Sequence, residues 1–191
     1  MRVIAGKYRS RILRSLRGAS LRPTSDRLRE TLFDILGASV QGSFFVDAYA
    51  GTGAVGIEAL SRGAAEVTFI ESHPPAATLI RRNLESLGVQ SGVMILAMDA
   101  LRGFEQLAHR RFGERWQADF VFLDPPYAAE EEHTRALEYL DESRLLAPGG
   151  RIVVEHRRDF ELPARLAQIE RARVVEQGDS ALSFYRLARA A

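Results

Sequence analysis

Apolar residues along this chain occur in two alternating patterns: short continuous runs, and positions spaced as on one face of a helix. Continuous apolar runs bounded by turn residues are typical of strands buried in a parallel sheet. Such runs lie at Ser43–Asp47, Glu66–Glu71, Val93–Met98, Phe120–Leu123 and Arg151–Glu155. Segments with helical spacing separate them, and another precedes them, beginning at Ser25 or Asp26 and ending at Gly37. This alternation of strand and helix predicts a doubly wound, mostly parallel α/β sheet.

The C-terminal part of the chain predicts an antiparallel end to this sheet. Leu146–Gly150 contains one proline and two glycines and is interpreted as a turn, and Pro163–Ile169 is interpreted as a short helix. Two further strand-like runs, Arg173–Glu176 and Ser183–Leu187, are separated by a short segment that contains Gly and Asp. Strands joined by so short a connection are expected to pair antiparallel.

The beginning of the chain is strongly basic. Residues 1–22 contain no acidic side chain and the basic residues Arg2, Lys7, Arg9, Arg11, Arg14, Arg17 and Arg22. Since the whole chain has a net charge of +1, the rest of it carries a net charge of −6. The run Val3–Leu16 alternates loosely, which predicts a small hairpin with arginines on its exposed face. A basic arm on an acidic body indicates an anionic partner, although a merely solvated arginine-rich strand would give the same pattern.

The composition of the 191 residues is ordinary for one soluble globular domain, with 46% hydrophobic and 27% charged residues. The absence of cysteine excludes disulfides, thiolate nucleophiles, iron–sulfur clusters and cysteine-based zinc sites. The four histidines are scattered without ligand spacing, so no metal site is expected. The apolar runs are far shorter than a membrane span, and the first residues lack the apolar core of a signal peptide. We therefore expect a cytosolic protein.

A glycine-rich segment follows the first predicted strand. Its pattern, Gly51-x-Gly53-x-x-Gly56, is typical of a nucleotide-binding loop, and Glu71 lies 20 residues after Gly51, where an acid can bind ribose hydroxyls. The pattern permits both a nicotinamide dinucleotide and S-adenosylmethionine. Asp47, at the tip of the first strand, favours S-adenosylmethionine, because a carboxylate repels a pyrophosphate and attracts ammonium and sulfonium groups. A tight turn that binds no ligand would also fit the glycines.

Asp99 follows the third predicted strand, and two roles are open for it. Its carboxylate could accept a hydrogen bond from the amino group of an adenine. It could equally be the N-cap of the next helix. Asp47, Glu71 and Asp99 lie at the ends of the first, second and third predicted strands, and this order favours ligand binding by Asp99.

The fourth predicted strand ends abruptly at Asp124-Pro125-Pro126-Tyr127. Two consecutive prolines have no N–H to donate, so ladder pairing stops there, at the end of the strand where ligands bind in open α/β sheets. A strand followed by a simple proline turn would give the same sequence. In an amino-methyltransferase, the Asp124 carboxylate and the Pro125 carbonyl would accept the N–H hydrogens of a base amine and localise its lone pair. Tyr127 would stack on an extruded base.

Several segments together resemble the RsmD family, which are bacterial guanine-N2 methyltransferases of small-subunit ribosomal RNA. They are the opening segments RVIAGKYRSRIL and RPTSDRLRETLFDIL and the segments at 46–64, 70–72, 98–100, 124–127, 145–156 and 178–186. The resemblance covers nearly the whole chain. The Asp-Pro-Pro-Tyr element alone is shared with adenine-N6 and cytosine-N4 enzymes, whereas the opening segments are much more specific.

The resemblance implies a Rossmann-like class I methyltransferase fold: a mostly parallel seven-stranded sheet with an antiparallel C-terminal strand and a small N-terminal hairpin. It implies a basic arm at residues 1–22 and a methyltransferase domain at residues 23–191. The residues that it places at or beside S-adenosylmethionine are Thr24, Arg27, Asp47, Ala50, Gly51, Gly53, Gly56, Glu71, Ser72, Asp99 and Ala100.

The implied reaction transfers a methyl group to the N2 amine of a guanine in 16S ribosomal RNA and leaves S-adenosylhomocysteine. The expected catalytic residues are Asp124, Pro125, Pro126 and Tyr127, and the seven basic residues of the arm are expected to bind RNA. We expect a monomer that needs no metal and acts on ribosomal RNA within a small-subunit particle.

Three other functions stay open from the sequence. The first is an amino-methyltransferase that acts on adenine N6 or cytosine N4 of DNA or of another RNA. The short connection between Tyr127 and Arg151 leaves little room for a base-reading insertion, which disfavours sequence-specific work on DNA. The second is an RNA-binding module without catalysis, which the intact Asp-Pro-Pro-Tyr element disfavours. The third is a nicotinamide oxidoreductase.

Overall fold

The structure of the chain, a computed structural model, describes residues 1–15, 25–109, 116–126 and 129–188. The chain divides into two units, Met1–Asp99 and Ala100–Ala191. The predicted boundary between arm and domain, at residues 22 and 23, lies outside the described residues. That division therefore stays a prediction.

The described part of the first unit, Met1–Asp99, contains three parallel strands in the order β3-β2-β1. The strands are β1 (Phe44–Ala48), β2 (Glu66–Ile70) and β3 (Val93–Leu96). The helices are α1 (Asp26–Leu36), α2 (Ala54–Ser61) and α3 (Pro74–Ser86), and a short 3-10 helix, Gly37–Val40, follows α1. The strands and helices predicted in this unit are confirmed, with ends that differ by one or two residues.

Local signals set the ends of these helices. The Ser25 hydroxyl accepts the Leu28 N–H at 3.1 Å and caps α1, and Gly37 ends that helix. Pro74 opens α3, where the missing N–H of a proline leaves no helical hydrogen bond unmade. Leu32 and Phe33 on the apolar face of α1 are fully buried. Packing of this face therefore stabilises the helix more than intrinsic propensity does.

The described part of the second unit, Ala100–Ala191, contains four strands in the order β4-β5-β7-β6. The strands are β4 (Ala118–Leu123), β5 (Leu146–Arg157), β6 (Ile169–Gln177) and β7 (Ser180–Leu187), and the helices are α4 (Ala100–Ala108) and α5 (Glu130–Glu142). β4 and β5 are parallel, whereas β7 is antiparallel to both β5 and β6. The predicted antiparallel pairing of the last two strand-like runs is confirmed.

The turn predicted at Leu146–Gly150 is wrong, because these residues form the first part of β5. Ala118 of β4 pairs with Leu146, whereas Phe120 pairs with Arg151, so the register shifts between the two pairs. The proline and glycines lie in this irregularity. Turn-forming residues can thus occur inside a strand where a bulge lengthens one side of the ladder.

The helix predicted at Pro163–Ile169 is also wrong. The carboxylate of Asp141, a buried residue of α5, accepts the N–H groups of Ala167, Gln168 and Ile169 at 3.0, 2.6 and 2.8 Å. These are the N–H groups that a helix would have bonded to its own carbonyls. The segment is instead irregular, and Ile169 already begins β6.

The predicted N-terminal hairpin is confirmed over residues 1–15. Arg2 and Ile12 form an antiparallel bridge, and the Val3 N–H donates to the Arg11 carbonyl at 2.9 Å. The basic side chains of this segment, Arg2, Lys7, Arg9, Arg11 and Arg14, are exposed as expected. Leu16, Arg17 and Arg22 lie outside the described residues.

Among the described residues, no helix combines the length and the apolar character that a membrane crossing requires.

Replacing Asp141 by asparagine should destabilise the second unit. The amide keeps the shape of the carboxylate but turns an N–H group toward backbone donors, so hydrogen bonds to Ala167–Ile169 are lost in a buried place. We expect the free energy of unfolding to fall by about 2 kcal/mol or more, measured by urea denaturation. Glu142→Gln, the same change on the exposed neighbouring residue, is the matched control. Equal stabilities for the two variants would contradict this role of Asp141.

Candidate functional site

Asp47 is a buried carboxyl at the carboxyl end of β1. It is 2% exposed, and its Oδ2 lies 2.8 Å from the Gly56 backbone nitrogen in the first turn of α2. Burial raises the pKa of Asp47 to about 8; the Gly56 hydrogen bond opposes this shift and the neighbouring Glu71 adds to it. Near neutral pH this carboxyl is therefore mostly protonated, and a cation placed beside it would favour its ionised form.

Glu71, directly after β2, connects that strand to the glycine loop, residues 49–53. Its Oε2 accepts the Gly51 N–H and its Oε1 accepts the His73 N–H, each at 2.7 Å. Glu71 is buried, with 9% of the residue exposed, and both of its carboxylate oxygens are directed by backbone donors. A carboxylate oxygen can accept more than one hydrogen bond, so ribose hydroxyls could still bind here.

The glycine loop has an unusual backbone. Tyr49, Gly51 and Gly53 have φ angles of 60°, 53° and 77°. For Tyr49 this is a left-handed conformation that a residue with a side chain seldom adopts. Such strained backbone persists only where surrounding contacts hold it, and it concentrates at functional sites.

Gly56 allows α2 to lie directly against β2. A Cβ atom at this position would lie 2.3 Å from Cε1 of Phe69, which is far inside van der Waals contact. The close approach places the Gly56 N–H within reach of Asp47. The glycine pattern thus has a packing role here that holds whether or not a ligand binds.

The other residues expected at the donor lie at different places in the first unit and at its end. Ala50 is buried in the glycine loop, whereas Arg27, Ser72 and Asp99 are exposed. Asp99 directly precedes α4, which begins at Ala100, so both roles proposed for its carboxylate fit its position. Thr24 lies outside the described residues.

The segment after β4 leads into α5 of the same unit. Asp124 is half-buried, Pro125 is buried and Pro126 is exposed. The Ala129 N–H donates to the Pro126 carbonyl at 2.8 Å, which turns the chain toward α5. Asp124 and Pro125 therefore lie at the carboxyl end of a strand of a parallel pair, the end at which α/β proteins bind ligands. Tyr127 lies outside the described residues.

Buried polar groups that anchor the basic arm were missed by sequence reasoning. Glu58 of α2 is fully buried, and its carboxylate accepts the N–H groups of Ile4 and Ala5 at 2.8 and 3.0 Å, as well as the Arg62 Nε–H at 2.8 Å. On α1, the fully buried Arg29 donates to the Arg2 carbonyl at 2.6 Å. The sequence signal that could have indicated this anchor is Glu58 itself, a charged residue within the otherwise apolar run of α2.

A close approach of backbones anchors the arm further along. The Lys7 N–H donates to the Ser61 carbonyl at 2.7 Å, and the Ser61 hydroxyl accepts the Tyr8 N–H at 2.9 Å. A Cβ atom on Gly6 would lie 1.8 Å from the Ser61 carbonyl oxygen, so only glycine fits this contact. The arm up to residue 15 is thus part of the first unit, with its basic side chains directed to solvent.

Within the described residues, no group of three His, Asp or Glu side chains could hold a metal ion.

Comparisons with known proteins match nearly the whole chain. The family model described as "Conserved hypothetical protein 95" matches residues 1–186. A Bacillus subtilis (strain 168) protein named "Putative rRNA methyltransferase YlbH" is 34% identical over 97% of this chain and 98% of its own. "Ribosomal RNA small subunit methyltransferase D" of Haemophilus influenzae is 37% identical over 83% of this chain and 80% of its own. The solved structure "Putative methyltransferase yhhF from Escherichia coli" is 29% identical, covers 98% of this chain and 97% of its own, and has a TM-score of 0.83.

The seven described strands, mostly parallel with β7 antiparallel to its neighbours, and this structural likeness define a Rossmann-like class I methyltransferase fold. The fold class predicted from the sequence is thereby confirmed. The chain belongs to the RsmD family, the family of ribosomal RNA small subunit methyltransferase D.

Asp47 makes stability depend on pH. Between the ordinary carboxyl pKa of 3.8 and the folded-state pKa of about 8, the folded protein keeps a proton that the unfolded chain has lost. The stability that this proton contributes is lost as the pH rises through about 8. Asp47→Asn removes the ionisation, so its free energy of unfolding relative to wild type should increase as the pH rises from about 4 to about 8 and stay constant above that.

Urea denaturation at several pH values measures this difference. Asp34→Asn, which removes an exposed carboxyl from α1, controls for the loss of one negative charge. A difference between Asp47→Asn and wild type that stays constant with pH would show that Asp47 is not held protonated by burial.

Proposed function

We propose that this protein transfers a methyl group from S-adenosylmethionine to the exocyclic N2 amine of a guanine in small-subunit ribosomal RNA. Membership of the RsmD family supports the reaction class and the substrate class, since the relatives are named as ribosomal RNA methyltransferases. The single observation that carries the donor assignment is Asp47, a buried carboxyl against the first turn of α2.

The hydrogen bonds of the glycine loop favour a cationic ligand over a pyrophosphate. In dinucleotide-binding folds, backbone N–H groups at the start of this helix bind the pyrophosphate. Here the N–H groups of Gly51 and Gly56 donate to the carboxylates of Glu71 and Asp47, at 2.7 and 2.8 Å. A pyrophosphate would have to displace these two acidic side chains, whereas an ammonium or sulfonium group would be attracted to Glu71 and would favour the ionised form of Asp47.

The residues present fit S-adenosylmethionine, with Asp47 and Glu71 holding its amino acid and ribose parts. When bound, it supplies an electrophilic methyl group whose carbon–sulfur bond breaks as the new carbon–nitrogen bond forms. The reaction needs alignment more than acid chemistry, and alignment can lower the barrier by about 7–11 kcal/mol.

Orientation of the base is assigned to Asp124 and Pro125. The Asp124 carboxylate and the Pro125 carbonyl would accept the two amine hydrogens and direct the nitrogen lone pair toward the methyl carbon; the nitrogen then releases one proton. The Pro126 carbonyl accepts the Ala129 N–H, and no contact with the base is assigned to it. Tyr127 is proposed to stack on the extruded guanine.

The basic arm is proposed to bind RNA phosphates. The arginines described in it are exposed, while its backbone up to residue 15 is held by buried groups of α1 and α2. These charges therefore have a defined place on the protein. Contacts of this kind add affinity and orientation but read little sequence.

Mapping of the modified nucleoside by mass spectrometry is the direct test of the proposed reaction. Purified protein and S-adenosylmethionine are incubated separately with duplex DNA, naked ribosomal RNA and small-subunit particles. We expect N2-methylguanosine in ribosomal RNA and no methylated base in DNA. Methylated adenine or cytosine in either nucleic acid would contradict the proposal.

Asp124→Ala should separate donor binding from catalysis. The variant loses the acceptor that orients the amine, so we expect methyl transfer to fall by about 100-fold or more, with the affinity for S-adenosylhomocysteine unchanged in calorimetry. Asp179→Ala, at an exposed position between β6 and β7, is the control. An Asp124→Ala variant with full activity would exclude the proposed role of this carboxylate.

Neutralising the arm should change the salt dependence of RNA binding. The logarithm of the RNA association constant falls linearly with the logarithm of the salt concentration. For the double variant Arg2→Gln, Arg9→Gln we expect this slope to be smaller in magnitude by about 0.7–0.9 for each phosphate that the arm no longer binds. The matched control replaces Arg144 and Arg173, exposed residues of the second unit, in the same way. Slopes that change equally in both double variants would show that the arm has no special part in binding.

A further inference from the structure

Asn83 of α3 connects the arm to the glycine loop. Its Nδ2 donates to the Thr52 carbonyl at 3.1 Å and to the Arg14 carbonyl at 3.2 Å. Its Oδ1 accepts the Arg14 N–H at 2.9 Å. Thr52 lies between Gly51 and Gly53, so one side chain contacts the backbones of both segments.

The arrangement is specific to an asparagine side chain. Asn83 is fully buried, and its amide uses both N–H hydrogens and its carbonyl oxygen. An apolar side chain at this position would leave the Thr52 carbonyl and the Arg14 N–H and carbonyl without these partners. Backbone groups buried without a partner are costly, so the loop and the arm would each have to rearrange.

Two more contacts hold the arm, one to α3 and one to the glycine loop. The Arg11 guanidinium donates to the Ser86 carbonyl of α3 at 2.8 Å, one helical turn beyond Asn83. The Thr52 hydroxyl lies 3.9 Å from the Met1 sulfur, so the arm also reaches the loop directly. The Arg14 side chain is exposed, and a phosphate can bind it while the Arg14 backbone stays on Asn83.

We propose that Asn83 is a positioning residue that couples the arm to the glycine loop, so that RNA bound to the arm and donor bound at the loop strengthen each other. This inference rests on the proposed function, which assigns RNA to the arm and S-adenosylmethionine to the loop. A partner that holds the arm in place fixes the Arg14 backbone. The Arg14 backbone then orients the Asn83 amide, and this amide holds the Thr52 carbonyl. The loop then loses less conformational freedom when the donor binds, and the coupling acts equally in the other direction.

Calorimetry with S-adenosylhomocysteine, in the absence and presence of saturating transcribed small-subunit ribosomal RNA, measures this coupling. For the wild-type protein we expect RNA to lower the dissociation constant by about fivefold or more. Asn83→Leu should weaken binding without RNA and bring the ratio of the two constants to about one. Circular dichroism establishes that the variant is folded.

Two substitutions of Arg14 separate its backbone from its charge. Arg14→Pro removes the N–H that Asn83 accepts together with the guanidinium, whereas Arg14→Ala removes only the guanidinium. We expect Arg14→Ala to weaken RNA binding but to retain the effect of saturating RNA on S-adenosylhomocysteine binding. We expect Arg14→Pro to abolish that effect. This pair decides the question even if Asn83→Leu does not fold.

The outcomes distinguish this inference from the proposed function. If the wild-type protein does not bind S-adenosylhomocysteine, the proposed function is wrong and the coupling falls with it. If the wild-type protein binds it but RNA has no effect, or if the effect is the same in wild type, Asn83→Leu and Arg14→Pro, only the coupling through Asn83 is wrong.

Discussion

The hydrogen bond from the Gly56 N–H to the Asp47 carboxyl determines how the first strand continues into the helix that follows it. Because Gly56 has no side chain, α2 lies against Phe69 of β2, and only this approach brings the N–H to 2.8 Å from the carboxyl. The same packing excludes water from Asp47, which raises its pKa to about 8. A single missing side chain thus sets packing, hydrogen bonding and the charge state of the candidate donor site.

Buried carboxylates of the first unit also accept hydrogen bonds from backbone N–H groups where the chain is neither helix nor strand. Glu71 binds the N–H groups of Gly51 and His73, and Glu58 binds those of Ile4 and Ala5. A buried N–H without a partner would be costly, and a hydrogen bond to a charged acceptor is stronger than one to a neutral acceptor. Side chains of the regular elements therefore determine the shape of the irregular segments around them.

Local rules predicted those elements whose causes are local. The apolar runs predicted β1 to β4 to within one or two residues at each end, and Ser25 and Gly37 marked the ends of α1. The Pro163–Ile169 segment was misjudged because its N–H groups bind Asp141, which lies more than twenty residues earlier in the chain. Asn83 could not be assigned for the same reason, since its partners Thr52 and Arg14 are distant in sequence and only the folded chain brings them together.

The arm separates the contacts that position it from the contacts available to a partner. Up to residue 15 its backbone is held by Arg29, Glu58, Ser61 and Asn83, which belong to α1, α2 and α3, while the basic side chains described in this segment are exposed. A phosphate that binds an arginine here meets a chain that these contacts already place, so only the remaining freedom of the arm has to be lost on binding. Two of these helices also adjoin the glycine loop, since α2 follows it directly and Asn83 of α3 donates to the Thr52 carbonyl. The placement of the arm and the conformation of the loop therefore share one buried polar group, Asn83.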